Sequence, residues 1–198
     1  MKAIDRWLQR YRMSVAKPWI PSRARLLDIG CHRGELLTRM ARRLRLGVGI
    51  DPLADAREIG NLRILRGTFP SDSVDGEFDA ITMLAVLEHM GDLPRIAERC
   101  RALLAPGGRV IITVPSACVD PILSVLLSLR LIDGMSLEEH HGFHPSEAVR
   151  AFERVGLNCV CRRRFQFGLN NLFVLERPAP AAAPASVEPG MDCVAACA

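Results

Sequence analysis

Long hydrophobic runs, lysine and paired cysteines are all scarce in this sequence, and each scarcity excludes a class of protein. The longest strongly apolar stretch, residues 119–132, is interrupted by Asp120 and Arg130 and is too short for a bilayer core of roughly 30 Å. The N-terminus is studded with charge and lacks the continuous apolar core of a secretory signal. The 7 cysteines include no CxxC pair. We therefore expect a cytoplasmic chain with reduced thiols and no transmembrane helix.

Because lysine is nearly absent, the net charge of +4 comes almost wholly from arginine. Arginines are clustered at positions 39–45 and 162–164. Such clusters are typical of solvated surfaces, and their spacing alone does not make a nucleic-acid groove. A basic docking face for an anionic membrane or substrate is the alternative.

The most informative segment is LLDIGCHRGELL, residues 26–37. It begins with an apolar run that stops at Asp28 and Gly30, and helix formers follow from Gly34 onward. This order predicts a strand, a tight loop and a helix N-terminus. Glycine lets the backbone approach a ligand closely, and the first turn of a helix supplies unpaired N–H donors. The segment therefore predicts a site for a small polar ligand.

Strands and helices alternate along the chain. The strands are predicted at residues 25–29, 47–50, 62–65, 78–83, 109–114, 157–165 and 170–176. The helices are predicted at residues 4–15, 35–44, 54–59, 93–104, 121–131 and 145–155. Such alternation predicts an α/β fold with a doubly wound, seven-stranded and mostly parallel sheet covered on both faces. The short link between the last two strands makes them a C-terminal antiparallel hairpin.

The domain organisation follows from composition. With 198 residues, 49% of them hydrophobic, the chain has room for one folded domain. We place an N-terminal helix and linker at residues 1–22 and the folded domain at 23–177. The Ala/Pro-rich segment 178–198 has few large apolar residues, so we expect it to be disordered.

One acid and the absence of two motifs indicate which class of ligand this fold binds. Asp51 ends the second strand about 20 residues after the glycine loop, where a carboxylate can accept hydrogen bonds from a ribose diol. The loop has Gly30 and Gly34 but no GxGxxG, and the chain has no Walker loop. These patterns indicate a nucleoside ligand without a pyrophosphate.

Five motifs in register resemble those of one family. They are LLDIGCHRGELL, GIDP at 49–52, FDAITMLAVLEHM at 78–90, LAPGGRVIITVP at 104–115 and EHHGFHPSEAVRAFERVGL at 139–157. Together they are similar, over roughly residues 23–177, to class I S-adenosylmethionine-dependent methyltransferases. The branch they resemble holds the small-molecule, ubiquinone-type O-methyltransferases, also called methyltransferase type 11. The resemblance implies a Rossmann-like methyltransferase fold, S-adenosyl-L-methionine as cofactor, and a small-molecule or lipid-like acceptor, with oxygen as the expected acceptor atom.

The resemblance also implies a set of cofactor-binding residues. The first loop would line the methionine end of the cofactor, Asp51 would hold the ribose, the segment after the third strand would contact adenine, and the backbone after the fourth strand would close over the amino acid. The implied residues are Asp28, Gly30, Cys31, His32, Gly34, Asp51, Pro52, Thr68, Phe69, Leu84 and Ala85. His32 departs from the family, which has glycine there, and Thr68-Phe69 replaces the usual Asp-Ala pair. Both departures bear on cofactor affinity.

Methyl transfer from a sulfonium needs an in-line nucleophile held about 3 Å from the methyl group, and a base where that nucleophile carries a proton. His141 is our first choice for this base and His140 the second, because histidine titrates near neutral pH. The alternative is that these histidines cap the following helix or support its loop. His89 is assigned a structural role at the start of a helix. The adjacent spacing of the histidines disfavours a metal site.

Segment 119–132 is apolar around nearly the whole predicted helix, which fits core burial, a lid over a lipid-like substrate, or peripheral membrane contact. A catalytically inactive methyltransferase fold that serves as a binding partner is the main alternative function. A base methyltransferase acting on nucleic acid is disfavoured, because LAVLEH stands where an Asn/Asp-Pro-Pro-aromatic motif is needed. The function of a nicotinamide oxidoreductase has even less support. The sequence does not indicate an oligomeric state.

Overall fold

A computed structural model describes residues 3–116 and 144–179 of the chain. The strands are β1 Ala24–Ile29, β2 Leu44–Asp51, β3 Arg57–Ile59, β4 Leu62–Arg66, β5 Phe78–Leu84, β6 Leu104–Pro115, β7 Asn158–Phe165 and β8 Asn170–Glu176. The α-helices are α1 Ala3–Ala16, α2 Glu35–Met40, α3 Leu93–Leu103 and α4 Pro145–Arg154. Three short 3-10 helices are Lys17–Trp19, Ala41–Arg43 and Leu87–His89. Apart from residues 57–59, the described part of the chain shows the predicted alternation of strands and helices.

All eight strands belong to one sheet with the order β3-β4-β2-β1-β5-β6-β8-β7. The five central strands, from β4 to β6, run parallel, whereas β3, β8 and β7 each pair antiparallel to a neighbour. The chain proceeds outward from β1 to β2 and β4, then returns to β5 on the other side of β1. The switch point of the sheet therefore lies between the carboxyl ends of β1 and β5, where open α/β sheets bind their ligands.

The core is formed on both faces of the sheet. On one face, α3 and α4 pack with buried residues such as Ile96 and Phe152 against strand residues such as Leu27 and Ile81. The other face is covered by α1 and α2. Central strands buried on both faces read as continuous apolar runs in the sequence, and this is how they were recognised.

One predicted helix is wrong. Residues 57–59, expected within a helix at 54–59, form the edge strand β3, which pairs antiparallel with β4 and makes the sheet eight-stranded rather than seven-stranded. The reason is the Gly60-Asn61 turn: Ile59 pairs directly with Leu62, and Gly60 has a φ of 59°. A two-residue loop with glycine at positive φ is a strong hairpin signal, and it outweighs the weak helix pattern before it.

The helix predicted at residues 35–44 is also too long. It ends at Met40, passes through a 3-10 turn and enters β2 at Leu44, three residues before the predicted start. The Asn61 side-chain amide donates to the carbonyl oxygens of Ala41 and Leu44 at 2.9 and 2.8 Å. These contacts link the helix-to-strand connection to the hairpin turn. Helix propensity is a local property, so it does not reveal this long-range constraint.

Several predictions fall outside the described residues. They include the helix at 121–131, the apolar segment 119–132, and all but the first two residues of the segment 178–198. The remaining element boundaries agree with the prediction to within one or two residues, except that β6 begins at Leu104, five residues early. Within residues 3–116 and 144–179, no helix is both long and apolar enough to cross a membrane.

Candidate functional site

The loops after β1 and β5 meet at the switch point of the sheet. Gly30 has a φ of 73°, and a Cβ placed on it would lie 2.5 Å from Cγ2 of Val86. Contacts under 3 Å leave no room for a methyl group, and positive φ disfavours any L side chain. Glycine is therefore required here by both backbone conformation and space.

Asp28 is the second-last residue of β1 and the most buried acid of the site. Its side chain is 4% exposed and accepts a hydrogen bond from the Thr82 hydroxyl at 2.7 Å. Burial raises the pKa of Asp28 to about 7; the Thr82 hydrogen bond opposes this rise, whereas the negative charges of Glu35 and Asp51 add to it. Three carboxylates close to one another favour a positively charged group nearby.

Asp51 at the end of β2 is linked directly to the glycine loop. Its carboxylate accepts the backbone N–H of His32 at 2.9 Å and that of Leu53 at 2.8 Å. Each oxygen thus uses one acceptor site and retains a second. The two hydrogen bonds fix the carboxylate at the mouth of the crevice, as required of a group that holds a ribose diol.

His32 adopts the backbone conformation that glycine would have at this position. Its φ is 49°, in the left-handed region, where histidine is found more often than most residues. The ring is half exposed, and its Nδ1 lies 3.4 Å from the Glu35 carboxylate. The loop therefore keeps the shape of a glycine loop, and only the His32 backbone contacts Asp51.

Helix α1 forms one wall of the site, a position that the sequence analysis did not predict. A pocket in the crevice is lined by the α1 residues Gln9, Arg12 and Met13 together with residues of the glycine loop, α2 and the end of β5. The loop, α2 and β5 members are Asp28, Gly30, Cys31, His32, Glu35, Leu36 and Leu84. In the sequence, the only sign of this position was the amphipathic pattern of α1, with the cationic Arg12 beside its apolar face. Arg12 thus places a guanidinium against a pocket that otherwise holds carboxylates.

Two contacts from the β7–β8 hairpin hold α1 in place. The Gln166 side-chain amide donates to the carbonyl oxygen of Leu8 at 3.2 Å. The Tyr11 ring meets the Phe165 ring edge-on, with 5.8 Å between centroids. Because β8 runs antiparallel to β6, the turn of this hairpin lies at the same edge of the sheet as the glycine loop. The C-terminal hairpin is thereby part of the site's support.

The remaining residues of the first loop act through backbone and packing. Gly34 has a φ of 74° and forms the N-cap of α2, and a Cβ there would lie 2.9 Å from Ile64. Cys31 is buried, and burial, with a smaller contribution from Asp28, raises the pKa of its thiol to about 12. A thiol of this kind stays protonated near neutral pH and contributes shape to the pocket wall, not nucleophilicity.

Among the residues predicted to contact the cofactor after β4 and β5, only Leu84 lines the pocket. The Ala85 backbone, with a φ of 56°, donates its N–H to the Thr113 carbonyl oxygen at 2.8 Å. Thr68 follows β4 and is exposed, whereas Phe69 is packed into the core. Pro52 is exposed beside Asp51. Of the predicted adenine contacts, Thr68 is therefore the accessible one.

Glu88 is a second residue that the sequence analysis missed. It lies on the 3-10 helix Leu87–His89 just beyond β5, is 9% exposed, and its Oε2 is buried without a hydrogen-bond partner in the described part of the chain. Burial raises the pKa of Glu88 to about 7, against the opposing effects of a backbone hydrogen bond and the Arg12 charge. The apolar residues before it suggested a strand end, but nothing in the pattern indicated a buried acid.

The predicted catalytic residues His141 and His140 lie outside the described residues, so their roles stay predictions. His89 ends the 3-10 helix, and its N–H donates to the Val86 carbonyl oxygen at 3.0 Å. The cap of α3 is instead Asp92, whose carboxylate accepts the N–H of Arg95 at 3.2 Å.

Known proteins similar to this chain agree with its geometry. The methyltransferase domain family matches residues 2–162. Ubiquinone biosynthesis O-methyltransferase of Pseudomonas aeruginosa is 32% identical over 149 residues, which are 65% of this chain and 64% of that enzyme. The enzyme of the same name from Acinetobacter baumannii is 28% identical over 163 residues, 70% of this chain and 68% of its own length. The chain thus spans slightly under two thirds of the Pseudomonas relative.

Solved structures share the fold at lower identity. An O-methyltransferase family protein from Burkholderia thailandensis superposes with a TM-score of 0.66 at 20% identity, covering 90% of this chain and 58% of that one. An S-adenosylmethionine-dependent methyltransferase from Mesorhizobium loti superposes with a TM-score of 0.64 at 13% identity, covering 83% and 96%. The glycine loop, the acid after β2 and the mostly parallel sheet agree with these similarities: the chain belongs to the methyltransferase domain family.

Proposed function

We propose that this chain transfers the methyl group of S-adenosyl-L-methionine to a hydroxyl oxygen of a small, lipid-like acceptor such as a polyprenyl phenol. The curated relatives are named for an O-methylation in ubiquinone biosynthesis, which supports oxygen and an acceptor of this class. The apolar segment 119–132, which lies outside the described residues, is the part of the chain that we assign to the acceptor's apolar tail.

The observation that carries the cofactor part of the proposal is the charge of the site. Burial raises the pKa of Asp28 to about 7, and the negative charges of Glu35 and Asp51 beside the glycine loop add to this rise. S-adenosylmethionine brings an ammonium and a sulfonium, so its binding would relieve this repulsion and favour ionised Asp28. The product, S-adenosylhomocysteine, lacks the sulfonium charge. The acids therefore favour the methylated cofactor over its product.

Each end of the cofactor has a matching group in the crevice. We assign the ammonium to Asp28 and the loop backbone, and the amino-acid carboxylate to Arg12, the guanidinium that lines the pocket. The ribose hydroxyls are assigned to the free acceptor sites of Asp51, and adenine to the Thr68 segment. When bound, the cofactor supplies an activated methyl group, and this chain's residues supply position and exclusion of water.

Proton removal from the acceptor hydroxyl is assigned to His141, with His140 as the second choice. A base is needed because a phenol carries its proton at neutral pH and is a poor nucleophile until it loses it.

Calorimetric titration of S-adenosylmethionine tests the cofactor site. Asp51→Ala should weaken binding by about tenfold or more, the value expected for losing a hydrogen-bonded carboxylate. Asp55→Ala is the matched control, because Asp55 is an exposed acid four residues away. Equal affinities for wild type and Asp51→Ala would contradict the ribose assignment.

Methyl transfer is tested with phenols that carry a polyprenyl chain, the same rings without the chain, and amines of similar size. We expect an O-methyl ether, identified by mass spectrometry, with the chain-bearing phenols preferred. Cofactor binding without transfer to any acceptor would favour the alternative, an inactive methyltransferase fold that acts as a binding partner.

A further inference from the structure

Phe167 is the most exposed large apolar side chain in the described part of the chain. It lies in the turn between β7 and β8, is 99% exposed, and has a φ of 57°. The residue before it, Gln166, also has a positive φ, and L side chains are strained in this left-handed region. Glycine would adopt this backbone conformation without strain. Neither burial nor backbone conformation therefore accounts for a phenylalanine at this position.

Trp7 of helix α1 is the other exposed aromatic residue among those described. Its side chain is 54% exposed, and its ring stacks on the ring of Tyr11 with 5.7 Å between centroids. Tyr11 in turn meets the ring of Phe165 at the end of β7. Because Phe165 is two residues before Phe167, the two exposed rings lie on neighbouring parts of one surface.

Exposed arginines accompany these two rings. On α1, Arg6 and Arg10 are exposed and lie close to Trp7 in the helix. Side chains alternate between the two faces of a strand, so Arg163 of β7 is exposed on the same face as Phe165, the face that α1 covers. Helix α1 contains three arginines and one acid, and β7 contains three arginines and no acid. The surface is therefore basic.

Exposed aromatic rings among arginines fit the surface of an anionic bilayer. Aromatic side chains enter the interfacial region of a membrane, and arginines attract its anionic headgroups. Nucleic acid fits this surface less well, because single strands bind along grooves in which successive bases stack on aromatic rings. A ring that is fully exposed in a turn is instead placed to enter a bilayer.

We propose that the two exposed rings and the arginines near them form a docking surface for an anionic lipid bilayer. This α1–hairpin surface consists of Trp7, Phe167, Arg6, Arg10 and Arg163. The turn of the hairpin lies at the same edge of the sheet as the glycine loop, so docking brings the cofactor crevice close to the bilayer. The inference goes beyond the proposed function and does not depend on it, since docking needs neither cofactor nor acceptor.

Co-sedimentation with vesicles tests the apolar part of the surface. The wild type should bind vesicles of an equal mixture of phosphatidylcholine and phosphatidylglycerol, and not vesicles of phosphatidylcholine alone. Phe167→Ser should weaken binding to the mixed vesicles roughly tenfold, the effect expected when a large apolar side chain no longer leaves water. Ile59→Ser is the matched control, because Ile59 is 62% exposed on β3, at the opposite edge of the sheet.

The basic part of the surface is tested by charge reversal. Arg163→Glu should weaken binding to the mixed vesicles by about tenfold or more, and added salt should weaken wild-type binding by screening the same attraction. Arg45→Glu is the control, because Arg45 is exposed near the start of β2, at the opposite end of the sheet from the β7–β8 turn. Urea unfolding shows whether each variant is folded.

Tryptophan fluorescence reports on the surface directly. The emission of Trp7 should shift to shorter wavelength when mixed vesicles are added, because its ring leaves water. Trp7→Phe leaves Trp19 as the remaining tryptophan and should lose the shift. A shift that persists in Trp7→Phe would contradict the placement of Trp7 in the bilayer.

Four results would overturn the inference: no binding to mixed vesicles at low salt, equal binding to both kinds of vesicle, no difference between Phe167→Ser and Ile59→Ser, or no difference between the two arginine variants. A wild-type dimer that Phe167→Ser dissociates in analytical ultracentrifugation would also contradict it, because the surface would then join two copies of the chain. A chain that binds vesicles but not S-adenosylmethionine would refute the proposed function alone.

Discussion

Replacing Asp28 with asparagine should stabilise the ligand-free protein at alkaline pH while it removes cofactor binding. The pKa of Asp28 rises from 3.8 to about 7 on folding, chiefly by burial. Between these two values the native state keeps a proton that the unfolded chain has released. The native state binds more protons in this window, so the stability of the wild type falls as pH rises.

The magnitude follows from the shift. Each pKa unit is worth about 1.4 kcal/mol, so the wild type should lose about 2.5 kcal/mol of unfolding free energy through this group between pH 5 and pH 8. Asparagine does not titrate, and its carbonyl oxygen can still accept the Thr82 hydroxyl. The stability of Asp28→Asn relative to wild type should therefore rise by about 2.5 kcal/mol over the same range. Glu88 titrates in both proteins and cancels in the comparison.

The assay is urea unfolding followed by tryptophan fluorescence at pH 5, 6, 7 and 8, with Asp55→Asn as an exposed-acid control. A stability difference between Asp28→Asn and wild type that is constant over this range would refute the reasoning, because it would show that Asp28 ionises in the native state at its ordinary pKa. Calorimetry at pH 8 should show that the stabilised variant has lost affinity for S-adenosylmethionine.

Three further predictions concern the glycine loop. Gly30→Ala should lose about 1–3 kcal/mol of stability, measured by urea unfolding, because its Cβ overlaps Val86; an unchanged midpoint would contradict this. His32→Gly should be neutral or gain up to about 1 kcal/mol by relieving the positive φ, and its S-adenosylmethionine affinity should stay within about threefold of wild type, since the backbone makes the Asp51 contact. Cys31 and Cys100 should resist iodoacetamide in the native protein at pH 8, since burial raises both thiol pKa values; rapid labelling in peptide maps would disprove this.

Much of the fold was predictable because its signals are local. Asp28 and Gly30 mark the end of a buried strand, and the five parallel strands read as apolar runs. Strand β3 was not predicted, because the signal of the Gly60-Asn61 turn competes with a weak helix pattern before it. The early end of α2 depends on Asn61, which is distant in sequence from the connection it holds.

Only one part of the candidate site, the part formed by the glycine loop and Asp51, was predictable from the sequence. The glycine loop and Asp51 have characteristic spacing, so they were identified without a structure. Arg12 belongs to the site because α1 packs against the glycine loop, and its position in the sequence indicates nothing of this. Residues brought together by packing of distant elements carry no periodic signal that a single sequence reveals.

The contacts that hold α1 also order events during synthesis of the chain. Leu8 and Tyr11 leave the ribosome more than 150 residues before their partners Gln166 and Phe165. Helix α1 therefore lacks both contacts to the hairpin while the central strands assemble. A newly made chain completes its cofactor pocket only when the final hairpin arrives, so cofactor binding can report on whether translation has reached that point.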